Sequence, residues 1–279
     1  MTIKFLERTP LSKNQIISVA PSIFTTEKKP DLSEKYNFVP TYEVLNAMED
    51  QGWLPVEVQE EGCRIEGGQG FQRHKILFRN FRQELVVGST VLEIAMYNAH
   101  NGLAKFIFLL APWRVKCCNG MVASEGVFEA IRIRHDSYEA TQIIGVCKSI
   151  INATPQIAQN IQDMVDISLS PDEQRIFAKS AAQLRFGNPD VADIRDILRV
   201  RRSDDAGNSL WHTFNRVQEN TTKQGIRYKA EDQNGKPTTR NSRAIKGINS
   251  NRELNQALWS LAEGMRKLKR GEELELEAV

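Results

Sequence analysis

Apolar positions change period halfway along the chain. Up to about residue 135 they mostly alternate with polar ones, the period of a strand; beyond it they recur every three or four residues, the period of a helix. Before the alternation begins, Asn14–Val19 reads as one short helix in an otherwise irregular segment. From Thr41 a second helix places Val44, Leu45 and Met48 on one face, and Gly52 is placed to end it. Trp53–Val58 reads as a strand, and Pro55 suits it to a sheet edge. A loop rich in glycine (positions 62, 67, 68 and 70) leads to Gln72–Arg79, where His74, Ile76 and Phe78 point one way and Arg73, Lys75, Leu77 and Arg79 the other. Three more strand-like runs follow. They are residues 85–98, Leu103–Cys118 (kinked at Pro112, and entered through the hairpin signal Asn101-Gly102), and Ala130–His135.

The helical half begins near Tyr138 and runs to about Val165, with Pro155 marking a break. Ser170-Pro171-Asp172-Glu173 is a capping box with proline in the first turn, and it starts a helix that Gly187-Asn188-Pro189 ends at Phe186. Short helices are expected near 190–198 and 208–219. Ser250-Asn251-Arg252-Glu253 is a second capping box, opening a helix to Lys269 with the stripe Leu254, Leu258, Leu261 and Met265 and Trp259 alongside. Residues 221–247 carry no apolar period and read as a long basic loop, of a length that is either functional or disordered. The expected fold is therefore α+β: an N-terminal antiparallel sheet packed by helices, followed by a helical C-terminal region. The divisions are an irregular segment 1–37, an α+β core 38–165, a helical region 166–270 containing the loop 221–247, and an acidic tail 271–279.

With 279 residues, 41% hydrophobic and 26% charged, the chain has material for a core without staples. Its longest apolar run, Phe106–Pro112, is too short to span a bilayer, and charges interrupt the N-terminus where a signal peptide needs an apolar stretch. These features predict a cytoplasmic protein that does not enter membranes. Net charge is only +2, but residues 199–270 hold 16 Lys/Arg against 7 Asp/Glu, and the tail 271–279 has four glutamates and no base. The basic segment reads either as a polyanion-binding surface or as solvated helices that happen to be basic.

Candidate chemistry thins quickly. Cys63, Cys117, Cys118 and Cys147 have no CxxC spacing, and His74, His100, His135 and His212 show no ligand pair, so no metal is expected. Hydrolase, phosphate-loop and dinucleotide motifs are absent, so neither a cofactor nor an enzymatic activity is expected. What remains is cationic. Three strands place bases two apart: Arg73 and Lys75, Arg114 and Lys116, Arg132 and Arg134. If those strand sides coincide, one sheet face carries about six cations and could track the phosphates of a single strand. Phe71, Phe81 and Tyr228 are candidates to stack on bases. The competing explanation is an ordinary solvated sheet face. In the loop 221–247, Arg227, Tyr228, Lys229 and Arg243 could clamp the strand.

Four blocks, VPTYEVLNAMEDQGW, CCNGMV, FEAIRIRH and AIKGINSNRELNQALWSLAE, resemble the plasmid- and prophage-encoded family catalogued as a domain of unknown function, "phage/plasmid-like protein", over roughly residues 36–270. This implies a role on mobile elements and brings no catalytic residues. The helix into Gly52-Trp53, the strand run and the next helix (about residues 40–165) are similar in pattern to eukaryotic-type single-strand annealing proteins. That resemblance implies single-stranded DNA bound along a basic groove of a ring-shaped homo-oligomer. The expected function is non-enzymatic single-stranded DNA binding, with annealing in recombination or DNA processing. The alternatives are a factor that binds a host protein to counter defence, and a nuclease-like enzyme.

Overall fold

The computed structural model describes residues 8–33, 36, 38–63, 66–83, 86–87, 90–102, 106–114, 131–133 and 140–272; for 86–87, 90, 110–114, 131–133 and 140–143 the description is of the backbone. The chain is a mixed α+β protein of two compact units, Met1–Pro155 and Gln156–Val279. The boundary falls at Pro155, inside a helix, and not at the helix end near 165.

The first unit opens with α1 (Lys13–Val19), whose Ser12 and Gln15 form a capping box, and a 3-10 turn at Pro21–Phe24. Helix α2 (Thr41–Asp50) buries Thr41, Val44, Leu45 and Met48, the stripe its spacing predicts. It turns sharply into the sheet at Gly52, which has φ +83°. That φ favours glycine, and a Cβ there would also lie 2.6 Å from Cγ of the exposed Arg82 side chain, which would have to move aside.

The sheet consists of β1 (Trp53–Glu60), β2 (His74–Asn80), β3 (Val86–Val87), β4 (Thr90–Asn98), β5 (Phe106–Arg114) and β6 (Ile131–Ile133). They are antiparallel in the order β1-β2-β4-β5-β6, with β3 paired to β4. Register shifts once, between Pro55 and Glu57. Proline has no N–H to give the ladder, and β1 is an edge strand, where such a bulge is tolerated.

One face of the sheet is apolar: Ile76, Phe78, Leu92, Ile94, Met96, Phe106 and Phe108 are fully buried. Helix α2 covers it. Thr41 Oγ1 lies 2.9 Å from His74 Nε2 and accepts from Asn98 Nδ2 at 2.9 Å, while His74 Nδ1 meets Ser22 Oγ at 2.8 Å. Helix α3 (Ala140–Asp166) brings Cys147 Sγ to 3.7 Å from Met48 Sδ, and burial pushes that thiol up to about 12. Such a thiol is a core group with no thiolate to react.

The other face is also largely buried, and it sets an ion-pair cluster among apolar Leu77, Val91, Ala95 and Leu109. Arg79 donates to Glu93 Oε1 through Nε (2.9 Å) and Nη2 (2.6 Å), and Arg8 reaches Glu57 at 2.7 Å and Glu93 at 3.6 Å. Burial pushes Glu93 up to about 7 against the pull of Arg8 and Arg79, and pushes His74 down to about 3. The two groups oppose each other in acid. A raised carboxyl takes up protons on folding and loses stability as pH rises from about 4.5 to about 7; a depressed histidine loses stability as pH falls below about 6.5. Relative to wild type, Glu93→Gln is therefore expected to lose an extra ~1.4 kcal/mol per pH unit on going from pH 6.5 to pH 4.5. Urea midpoints across that range check this; parallel profiles for the two proteins would contradict it.

The second unit is helical apart from one hairpin. Helix α4 (Pro171–Phe186) starts on the expected capping box, with Ser170 accepting from the Glu173 N–H and Glu173 from the Ser170 N–H, and it ends at left-handed Gly187. Ser170→Ala is expected to cost about 1 kcal/mol, read from thermal or urea midpoints. Short α5 (Ile194–Ile197), α6 (Leu210–Thr222) and α7 (Ile248–Arg270) complete the helices, with Trp211, Phe214 and Trp259 clustered between α6 and α7. Helix α7 starts at Ile248 after Gly247, and no side-chain cap forms there. The Ser250–Glu253 signal lies inside the helix, which begins three residues earlier than that box implies, at buried Ile248.

Residues 221–247 are not a loop. They contain the end of α6 and a hairpin, β7 (Arg227–Glu231) paired with β8 (Pro237–Asn241). Asp232 Oδ1 accepts from the N–H groups of Asn234 (2.8 Å) and Lys236 (2.9 Å), and Gly235 supplies φ +74°. On its other side β7 pairs with the chain at 191–193: the Lys229 N–H donates to Val191 O and the Asp193 N–H to Arg227 O, each at 2.8 Å.

Candidate functional site

The three cationic pairs do not form one sheet face. The constant register of β2, β4, β5 and β6 aligns Lys75, Tyr97, Ile107 and Arg132 in one cross-strand row. Arg114 stands opposite Thr90, in a row of the other parity, with Phe106 and Phe108. Alternation fixes sides within a strand, but the side shared between strands depends on register. Lys116 and Arg134 lie outside the described residues.

Nor are the first two cations free. Arg73 Nη1 donates to Glu61 at 3.1 Å, and Lys75 Nζ to Glu57 at 2.6 Å. Their side chains are about one-fifth exposed. A phosphate would have to displace a carboxylate from each.

The C-terminal unit offers more. Lys229, Lys236, Arg240 and Arg243 are exposed, and none pairs with a carboxylate among the described residues. Arg240 donates to Glu231 O, and Arg243 uses its own carbonyl to accept from Arg185 Nη2 at 3.0 Å. Tyr228 stacks on Phe186 with ring centroids 5.2 Å apart and planes at 27°; Arg185 lies over the Phe186 ring at 5.6 Å. The hairpin thus holds Tyr228 and its cations on a rigid ladder.

Arg227 sits at the base of this hairpin and is ion-paired. Its Nε donates to Asp196 Oδ2 and its Nη2 to Asp193 Oδ2, each at 2.8 Å. The hydrogen bond from Arg227 holds the Asp196 carboxyl well below the usual carboxylate range. Two open recesses flank Arg227. One, of about 600 Å³, is lined by Asp196, Arg199, Gln224, Gly225, Arg227, Asn241 and Ser242. The other, of about 410 Å³, runs from Asp190–Ile194 past Tyr228 and Lys229 to Thr239. Sequence reasoning misses Arg199, Arg201 and Asp196. The two arginines enter it only through the local charge balance, and nothing in their spacing ties them to Arg227, 26 to 28 positions later. Among the described residues no group of three or more His, Cys, Asp or Glu side chains could hold a metal ion, and no helix is long and apolar enough to cross a membrane.

These features describe a two-unit α+β protein that carries a cationic hairpin on its helical unit. The chain belongs to the DUF932 family, a domain of unknown function, whose model matches residues 31–259. It is similar to two Escherichia coli (strain K12) proteins, UPF0380 protein YafZ and UPF0380 protein YfjQ. Each is 30% identical, over 258 and 256 residues, covering 92% and 91% respectively of both chains. No solved structure matches it significantly.

Proposed function

We propose that this protein binds single-stranded DNA without cleaving it and serves DNA processing, including strand annealing, on a plasmid or prophage. The observation that carries the reading is the hairpin 227–241 and its flank. Four exposed cations there have no carboxylate partner among the described residues, and the same hairpin carries Tyr228 stacked on Phe186. Cations on a surface neutralise backbone phosphates, and an aromatic platform accepts any base, which together suit a strand bound without sequence preference. The resemblance of four sequence blocks to the phage/plasmid-like family supports the mobile-element setting. The paired cations of the sheet, Arg73 and Lys75, are secondary in this reading.

The test is a fluorescence titration of labelled oligothymidine by Lys229→Glu/Arg243→Glu. Reversal of two exposed charges is expected to weaken binding by more than about tenfold at low salt, and to flatten log K against log salt by about 0.7 for each phosphate no longer neutralised. Both residues are exposed, so folding should be unaffected. Binding equal to wild type would move the interface off the hairpin.

A further inference from the structure

The groove of about 600 Å³ beside Arg227 has an organised charge centre. Asp196, itself buried, sits between two guanidiniums. Its Oδ1 accepts from Arg199 Nη2 at 2.5 Å. Its Oδ2 accepts from Arg227 Nε at 2.8 Å and from the Arg227 N–H at 3.0 Å. Asp193 takes Arg227 Nη2. Arg199 and Arg227 are each about half exposed. Arg199 Nε and Nη1, and Arg227 Nη1, make no hydrogen bond to the described residues. A third guanidinium, Arg201, is held against the chain here by Asn220 Oδ1 and by Gln224 O, the latter at 2.8 Å. Of the residues lining the groove, two arginines face one aspartate, which leaves it net positive, with unused donors on two forks whose orientation is fixed from behind.

Forked donors held in place match the tetrahedral oxygens of a phosphate, and preorganisation lowers the cost of ordering long side chains. The groove has the volume of a small-ligand site and no aromatic lining, so it suits a charged group and not a base. The neighbouring recess carries Tyr228 and shares Arg227 with it.

We infer that this groove seats a phosphodiester of the bound strand, with Arg199 and Arg227 as its ligands and Asp196 as the residue that positions both. The inference rests on the single-strand reading above and assigns that strand a fixed anchor point. Its expected effect is opposite in sign to simple charge. Asp196→Asn removes a negative charge beside the groove, which by long-range electrostatics alone would tighten binding of an anion. If Asp196 positions the forks, the variant binds more weakly.

The experiment titrates fluorescein-labelled oligothymidine with full-length wild type, Arg199→Gln, Arg199→Lys and Asp196→Asn at several salt concentrations, with thermal midpoints recorded for each. Arg199→Gln is expected to weaken binding by about tenfold and to lower the salt slope by about 0.7. Arg199→Lys, which keeps the charge and loses the fork, should recover the slope and only part of the affinity. Asp196→Asn should weaken binding despite its added positive charge. Tighter or unchanged binding by Asp196→Asn overturns the positioning role. If that variant does not fold, Arg199→Lys carries the test, because Arg199 is exposed, and affinity equal to wild type refutes the fork. No binding by wild type sinks the single-strand reading itself. Wild-type binding that Lys229→Glu/Arg243→Glu weakens, but the groove variants do not, sinks the groove alone.

Discussion

Replacing Trp259 by alanine is expected to destabilise the C-terminal unit by about 3–5 kcal/mol, the range for deleting a large buried aromatic. Trp259 is fully buried and meets Phe214 and Trp211 edge-on, at centroid distances of 5.8 and 6.4 Å. Both neighbours belong to α6, which is buried along almost its whole length, so a cavity there loosens the α6–α7 joint. The indole N–H of Trp259 is buried and has no acceptor among the described residues. Trp259→Phe should therefore cost much less than alanine, since it removes an unsatisfied donor along with some volume. Urea denaturation of both variants checks the ranking, and equal losses would contradict it.

Arg266→Met should cost a similar amount, about 3–5 kcal/mol, for a different reason. Arg266 is nearly buried on α7 and holds three carboxylates: Glu263 at 3.0 Å, Asp163 at 3.3 Å and Glu272 at 2.9 Å. Glu263 also accepts from Asn160 Nδ2 at 3.0 Å. Arg270 remains on Asp163 at 2.6 Å, but Glu263 is left with no guanidinium. Methionine fills much of the space, so the loss measures charges stranded in a low dielectric more than packing. Urea midpoints give the measurement, and a change below about 1 kcal/mol would mean that water reaches these groups and screens them.

Most of the fold is legible in the sequence because it is written in local patterns. Alternation marks the β2 and β4 strands, and the Ser170–Glu173 box marks the start of α4 to the residue. Features that depend on distant partners are not legible. Pro155 reads as a helix break, yet α3 runs through it, since Ile150, Ile157 and Ile161 on either side are buried. The hairpin 227–241 has polar residues on both faces and so gives no period-2 signal. The clue is Asp232 with Asn234-Gly235, the same dipeptide signal as Asn101-Gly102. For the candidate site, alternation only assigns cations to sides within one strand. It cannot give the register that separates Arg114 from Lys75, or bring Glu57 and Glu61 onto Lys75 and Arg73. Similarly, Asp196 reads in sequence as one carboxylate in a short helix, and only the fold sets it between Arg199 and Arg227.

The decisive measurement is the salt dependence of single-strand binding by the wild-type protein. Oligothymidine titrated from about 50 to 200 mM salt should bind with log K falling linearly against log salt, by about 0.7 for each phosphate engaged. About four or five phosphates held by the hairpin and groove cations predict a slope of about −3 on the same scale. No binding at about 50 mM salt, or binding insensitive to salt, would contradict a role in holding single strands through their phosphates.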